Sequence, residues 1–366
     1  MRLFLVSLFF FTTCLTSSSA YAQKTEGLRF SHHDWEIVCD NTRTCRAAGY
    51  NAEDGDPVSV LLTRKAGAQQ AVSAELMLGD YEGDFSQRFK KLPARVNVLM
   101  QVNDKALGAV SVDTQSLMGT LSAAQVDALV SSLSRKSKLV WKFGKSQWQV
   151  SDKGAAAVLL KMDEFQGRLG THAALIKKGT LSEEQVLPAL PMPIVHVADV
   201  VPALPSDANF LQRNEKTLRA HLISLSKKDD SCPRLEEKGA EAEEAEGLSV
   251  TRLNANKMLV STLCWRAAYN EGYGYWVINQ QAPFQAKLVT IAGEGTAEAE
   301  NEIIVTQKGR GLGDCMWNET WLWNGQEFIQ TSAISSGMCK LIAPGGAWEL
   351  PLIVTDVKKT KTVKSK

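Results

Sequence analysis

Trp321-Leu322-Trp323-Asn324-Gly325-Gln326-Glu327-Phe328 sets an Asn-Gly pair between alternating apolar residues. Asn and Gly both tolerate positive φ, so the segment reads as a β-hairpin with a type I′ turn at Asn324-Gly325. Such a hairpin belongs to an antiparallel sheet, and the flanking sequence supplies further strands. Leu248 to Leu253, Lys257 to Trp265, Tyr273 to Asn279, Phe284 to Ile291, Glu302 to Gln307 and Trp348 to Val354 are apolar or alternating runs. Turn-forming and charged clusters separate them, which makes the second half of the chain almost all β.

The first half repeats this pattern with helices added. Trp35-Glu36-Ile37-Val38-Cys39, Asp40-Asn41-Thr42-Arg43 and Thr44-Cys45-Arg46-Ala47 read as a hairpin stapled near its base. Val58 to Thr63, Ala74 to Leu78 and Val96 to Val102 add strands of a sandwich or barrel. Ser122 and Gln125 form a capping box ahead of Val126, Leu129, Val130 and Leu133 at helical spacing. Leu139 to Phe143 and Gln147 to Val150 return to strand; a second helix then opens at Ser151 and stops near Gly167.

Pro188, Pro191, Pro193, Pro202 and Pro205 fall within one short stretch. Proline lacks the donor that a helix interior or central strand needs, so this stretch reads as a linker. Leu211, Leu218, Leu222 and Leu225 mark a third helix beyond it. The expected fold is mainly β with accessory helices (α+β), as two β-sandwich-like domains joined by a Pro-rich linker. The expected boundaries are 1–22 for a signal peptide, 23–187 for the first domain, 188–205 for the linker, 206–357 for the second, disulfide-bonded domain and 358–366 for a basic tail.

The leader is read from Arg2, the apolar run Leu3 to Phe11 and the closing Ala20-Tyr21-Ala22, a secretory pattern with cleavage after Ala22. The apolar run is too short to span a bilayer, and no later segment is long enough, so the mature chain is expected to lack a transmembrane segment and to be periplasmic. Cleavage removes Cys14 from the seven cysteines, leaving Cys39, Cys45, Cys232, Cys264, Cys315 and Cys339. An even number in an oxidising compartment suggests three bridges. Two cysteines lie early and four late, which favours pairing within each half: Cys39 with Cys45, Cys232 with Cys264 and Cys315 with Cys339.

Loss of Arg2 lowers the formal charge from +1 to zero, so nothing in the charge points to nucleic acid as a partner. The charge is segregated nevertheless, with an acidic stretch from Asp229 to Glu246 and a basic end carrying Lys358, Lys359, Lys361, Lys364 and Lys366. A solvated loop and a frayed terminus account for both; a tail held near anionic lipid or cell wall is the sharper reading.

Residues that carry chemistry are sparse. The five histidines are scattered, and His32-His33-Asp34 places adjacent side chains on opposite faces of an extended chain, a poor shared metal site. Glu53-Asp54-Gly55-Asp56 lacks the regular spacing of a calcium loop. No catalytic, cofactor-binding or metal residues are assigned. Gly309, Gly311 and Gly313 share period 2 and would bare one face of an extended strand for an aromatic ring or a partner. Trp317, Trp321 and Trp323 share odd parity and would lie on one strand face, either as a buried layer or as an open platform. With Arg310 and Asp314 these tryptophans are the expected binding surface.

Three separated motifs resemble an uncharacterised family of exported bacterial proteins, domain of unknown function 1176. They are Asp34-Trp35-Glu36-Ile37-Val38-Cys39-Asp40-Asn41 with Cys45; Leu159-Leu160-Lys161-Met162-Asp163-Glu164-Phe165-Gln166-Gly167-Arg168; and Gly309-Arg310-Gly311-Leu312-Gly313-Asp314-Cys315 with Trp323, Gly325 and Phe328. The first half is also similar to invasion-associated locus B proteins, which implies a periplasmic β sandwich. Neither resemblance brings a catalytic residue. The leading expectation is a non-enzymatic periplasmic binding or interaction protein of the cell envelope, with an envelope protein or a glycan as partner. The alternatives are a glycan or cell-wall binding module and an enzyme whose site is not readable from sequence.

Overall fold

The structure is a computed structural model that describes residues 26–52, 54–81, 91–207, 209–227, 231–236, 247–294 and 301–359. The expected leader, most of the acidic stretch, Glu53 and the tail beyond 359 lie outside the described residues.

The first half is one antiparallel ten-stranded sheet. Its strands are β1 (Leu28–His32), β2 (Trp35–Cys39), β3 (Cys45–Tyr50), β4 (Val58–Arg64), β5 (Val72–Leu78), β6 (Arg95–Val102), β7 (Lys105–Asp113), β8 (Met118–Thr120), β9 (Leu139–Phe143) and β10 (Ser146–Val150). Their spatial order is β1-β2-β3-β4-β5-β8-β7-β6-β9-β10. The sheet curls until a bridge between Asn51 and Val150 brings β10 back beside the end of β3. Two layers that a sandwich builds from two sheets thus belong here to one sheet. Helices α1 (Ala123–Ser132) and α2 (Ala155–Phe165) fill the curl with Val126, Leu129, Val158, Leu159 and Met162. The capping box of α1 is complete, Ser122 Oγ accepting from Gln125 N–H while the Gln125 side chain accepts from Ser122 N–H. His33 takes a positive φ in the β1–β2 turn, so the rings of His32 and His33 sit 4.3 Å apart rather than on opposite faces.

The second half contains two four-stranded sheets. One holds β12 (Ser249–Arg252), β13 (Lys257–Arg266), β14 (Glu271–Asn279) and β15 (Lys287–Gly293); the other holds β16 (Glu302–Lys308), β17 (Met316–Trp323), β18 (Phe328–Ser335) and β19 (Leu350–Ile353). Leu259, Tyr275 and Val277 from the first meet Ile303, Trp323 and Phe328 from the second. The outer face of the first sheet is covered by helix α3 (Phe210–Ser226) through Leu218 and Leu222.

Three disulfides link Cys39 to Cys45, Cys232 to Cys264 and Cys315 to Cys339. Cys39 and Cys45 stand directly opposite across the β2–β3 ladder, as a staple near the hairpin's base requires.

All five residues of β2 are buried, because both faces of the strand are covered. Trp35 and Ile37 face the first core, and Val38 joins Tyr50 and Leu61 in a cluster with Ile342, Trp348 and Leu350 from the far end of the chain. Trp348 Nε1 donates to Ser59 Oγ at 2.7 Å. The Lys340 ammonium reaches Asp34 Oδ1 at 2.9 Å. The proline-rich stretch joins this contact instead of running bare: its β11 (Ile194–Val197) pairs in parallel with β20 (Asp356–Lys359). Lys358 and Lys359, expected in a frayed tail, are therefore strand residues.

Candidate interaction surface

β17 is held between β16 and β18, with Trp321 opposite Ile303, Glu319 opposite Val305 and Ala333, and Trp317 opposite Gln307 and Ser335. The odd positions do share one face. Trp323 is fully buried and tilts against Phe328, while Trp317 and Trp321 are half-buried. Glu319 lies between the latter two and accepts from both indoles, at 2.8 Å from Trp317 Nε1 and 3.0 Å from Trp321 Nε1. Charge-assisted bonds of this kind fix both rings. The Arg29 guanidinium from β1 stands 5.2 Å over the Trp317 ring, a cation–π contact between the two halves. The layer is neither wholly buried nor an open platform.

The hairpin forms, yet its turn is not type I′ at Asn324-Gly325. Gly325 alone of that pair has a left-handed φ, +99°. The Asn324 side-chain oxygen instead accepts from the N–H groups of Gln326 and Glu327, both at 2.8 Å. A local side chain to backbone bond outcompetes the positive φ that the sequence alone suggests for Asn324.

Gly309 to Gly313 is a loop and not a bared strand, since β16 ends at Lys308 and Gly313 N–H bonds Arg310 O at 3.0 Å. The glycines serve separate needs. A Cβ on Gly309 would stand 2.6 Å from Cys315 Sγ, Gly311 lies under the Tyr269 ring, and Gly313 has φ +68°. The Arg310 guanidinium grips Asp314 as a fork, Nε to Oδ1 at 2.7 Å and Nη2 to Oδ2 at 2.5 Å, and Leu341 N–H donates to Oδ2 at 2.8 Å. Burial raises the Asp314 carboxyl, but Arg310 and the Leu341 N–H outweigh it and hold the group below its ordinary value. Asn270 and Lys308 exchange a reciprocal pair of bonds at 2.8 and 2.9 Å, and the Tyr81 hydroxyl donates to Leu312 O. On this anchored loop Leu312 is 54% exposed, beside Tyr269 at 45%.

Ligand-type atoms of Asp314, Cys315 and Cys339 lie within 4.8 Å of one another. Both sulfurs are spent in the disulfide, so in the oxidised protein they are not thiolate ligands.

The structure joins Trp317 with Trp321 through Glu319, joins Arg310 with Asp314 in the loop and leaves Trp323 in the core. Sequence reasoning missed Glu319, Arg29, Tyr269 and Leu312. Glu319 shares the tryptophans' parity and was readable; Arg29 and Tyr269 arrive from other sheets. The Asp163 to Arg168 motif is a second buried network. Asp163 Oδ2 accepts from Leu175 and Ile176 N–H at 2.7 and 3.1 Å, and Arg168 pairs with Glu183 at 3.1 Å while bonding the Gly67 carbonyl. It ties the end of α2 to the loop after β4.

The architecture and surface define a disulfide-bonded, mainly β protein with accessory helices and a stapled surface loop. The chain belongs to the family described as Protein of unknown function (DUF1176), whose profile matches residues 29–355. It is 26% identical over 348 residues to the uncharacterized protein YpfG of Escherichia coli (strain K12), covering 88% of this chain and 91% of that protein. It is also similar, at 15% identity and a TM-score of 0.25, to the crystal structure of invasion associated protein B from Bartonella henselae, over 38% of this chain and 99% of that one.

Proposed function

We propose that the chain is a non-enzymatic interaction protein of the bacterial cell envelope, exported by removal of Met1 to Ala22 and acting in the periplasm. Its recognition surface is the loop from Gly309 to Asp314 with Tyr269 and the neighbouring Trp317. The observation that supports this reading is a loop fixed by a disulfide and a forked ion pair, yet presenting Leu312 and Tyr269 to solvent. A preorganised loop loses little entropy on binding, and exposed aromatic and aliphatic groups are the side chains that anchor protein interfaces. A protein partner fits better than a glycan, because Arg29 covers a face of Trp317 and Trp323 is buried. The three disulfides are compatible with export. No described helix is long and apolar enough to cross a membrane.

Site-specific photo-crosslinking in intact cells tests this. A crosslinker at Leu312 should give a discrete adduct that Tyr269→Ala weakens, while one at Leu288 on β15, 43% exposed, should not. Equal adduct patterns at the two sites would remove the loop from consideration. Detection of the uncleaved leader on the exported chain would remove the processing step.

A further inference from the structure

In the first half, the residues after α1, the start of α2 and the end of β1 line a pocket of about 480 Å³. Its lining carries three cations, Arg135, Lys136 and Lys153, together with His32 and a single carboxylate, Asp152. None of the three cations is ion-paired among the described residues, whereas the nearby Lys138 pairs with Asp104 at 3.3 Å and Lys161 on α2 pairs with Glu164 at 2.6 Å. Asp152 Oδ2 accepts from Ser137 N–H at 2.6 Å. Asp34, whose N–H bonds Lys153 O at 3.2 Å, has its carboxylate paired with Lys340 at 2.9 Å, and Lys153 is the least of the influences on that carboxyl. Positive charge is left in excess. We propose that this pocket binds a phosphomonoester group, carried by a soluble metabolite or by a lipid headgroup, independently of the Gly309 to Asp314 loop.

Two cations after α1 would by themselves suit the negative end of that helix. Lys153 and His32 come from other elements, and the backbone fixes them there: Gly154 has φ +97°, and a Cβ on it would stand 1.7 Å from His32 O. Ala156 and Ala157 line the same pocket, and α2 has no side-chain cap at Gly154 to take the N–H groups of its first turn. The side-chain cations, and not this helix end, set the charge of the pocket. Three of them against one carboxylate call for a ligand that concentrates more than one negative charge on a small group. A phosphomonoester carries about −1.5 to −2 near pH 7 on three terminal oxygens, which accept a forked pair of bonds from an arginine and single contacts from lysines. A carboxylate brings one charge. An acidic peptide spreads single charges about 6.5 Å apart along one face of a strand, so it cannot present two at one point.

The test is isothermal titration calorimetry of the full disulfide-bonded chain with glycerol 3-phosphate at low salt, where exposed charges are least screened. Binding should saturate, and succinate or a tetraglutamate peptide should bind at least about tenfold more weakly. Arg135→Ala combined with Lys136→Ala should weaken glycerol 3-phosphate by about tenfold or more, and Lys153→Ala severalfold. All three side chains are exposed, so circular dichroism should be unchanged. Lys138→Ala removes a neighbouring charge outside the pocket and should change the affinity less than about twofold. Asp152→Asn keeps an acceptor for Ser137 and removes the opposing charge, so it should tighten binding severalfold, which loss of structure would not do. Flotation with phosphatidylcholine vesicles containing phosphatidic acid separates the sources. Flotation that the Arg135 and Lys136 double variant abolishes assigns the group to a lipid headgroup; binding of glycerol 3-phosphate without flotation assigns it to a soluble ligand. Absence of both overturns the proposal, as do equal affinity for succinate or tetraglutamate, an equal loss from Lys138→Ala, or weaker binding by Asp152→Asn.

Discussion

The Tyr50 hydroxyl donates to Glu36 Oε1 at 2.8 Å, and neither side chain has appreciable contact with solvent. Met338 N–H donates to the same hydroxyl at 3.1 Å, so the pair in the first sheet is completed by the far end of the chain. Burial pushes the Glu36 carboxyl up, against the opposing pull of Tyr50, Arg29 and the Met338 N–H. Burial likewise drives Tyr50 well up, which keeps it a neutral donor.

This pair carries a pH prediction. A raised folded pKa means that the folded state binds its proton more tightly than the unfolded chain does. Stability contributed by Glu36 is therefore present below the ordinary value of 4.5 and declines as pH rises through the raised one. Glu36→Gln keeps an acceptor for Tyr50 and removes that decline. Urea midpoints should show the variant gaining on the wild type as pH rises from 4 to 8. Parallel profiles would mean that Glu36 ionises without penalty.

Gly337 and Gly345 both have left-handed φ, at +98° and +82°, but they differ in surroundings. A Cβ on Gly337 would stand 2.2 Å from Tyr50 Oη, while one on Gly345 would meet nothing within 4 Å. Gly345→Ala should cost about 1–2 kcal/mol from backbone strain. Gly337→Ala should add about 1–3 kcal/mol from overpacking and shift the near-ultraviolet circular dichroism of the tyrosines. Equal losses in the two variants would count against a tight junction at Tyr50.

The tryptophans of β17 should not behave alike. Trp323→Ala empties a fully buried site and should cost about 3–5 kcal/mol. Trp317→Ala should cost less, about 1–2 kcal/mol, because part of that ring is already solvated. Equilibrium unfolding in urea separates them, and indistinguishable losses would mean that Trp317 is as much a core residue as Trp323.

A cut in the proline-rich stretch should leave the two halves together. Leu190 N–H bonds Thr42 O at 3.2 Å, Ala198 N–H bonds Trp323 O at 2.9 Å, and β11 pairs with β20. Beyond these bonds, the cluster joining Val38, Tyr50 and Leu61 to Ile342, Trp348 and Leu350 is a buried apolar contact. A specific protease site placed between Val200 and Pro202 should yield two fragments that co-elute on size exclusion until denatured. Fragments that separate at once would show that this contact does not hold without the covalent connection.

What the sequence discloses is local. The Ser122 and Gln125 box, the Cys39 to Cys45 staple and the period-2 tryptophans all depend on neighbours a few residues away, and all appear where the spacing puts them. β7 escapes notice because most of its residues are not buried, leaving no strong alternation to read. Glu36 looks like the polar face of an amphipathic strand, yet it is covered by residues about Met338. The functions of Asp163 and Arg168 likewise rest on backbone groups of other loops, which spacing does not encode. Met192 and Val357 come alongside Leu322 and Ile334 from distant parts of the chain, a juxtaposition that spacing does not encode either.

The Cys315–Cys339 bridge and the Arg310–Asp314 fork restrain the same loop, which makes their contributions separable only together. The bridge spans 24 residues, so Cys315→Ser with Cys339→Ser should cost about 2–4 kcal/mol on the loop-closure estimate. Asp314 has a lowered folded pKa, set by Arg310 and the Leu341 N–H against burial. Its stabilisation is therefore present above the ordinary 3.8 and is lost as pH falls through the lower folded value. Asp314→Asn should destabilise the protein at pH 7, with a gap from the wild type that closes in acid. With the disulfide in place, the loop keeps its path when the ion pair goes, since Gly309 N–H still bonds Cys315 O at 2.9 Å. With the disulfide removed, the fork carries more of the loop's restraint beside the backbone bonds from Gly309 and Gly313, and Asp314→Asn should cost more than in the wild type by at least about 0.5 kcal/mol. Urea unfolding of the four proteins of this cycle measures that excess, and strict additivity would mean that bridge and ion pair restrain different parts of the structure.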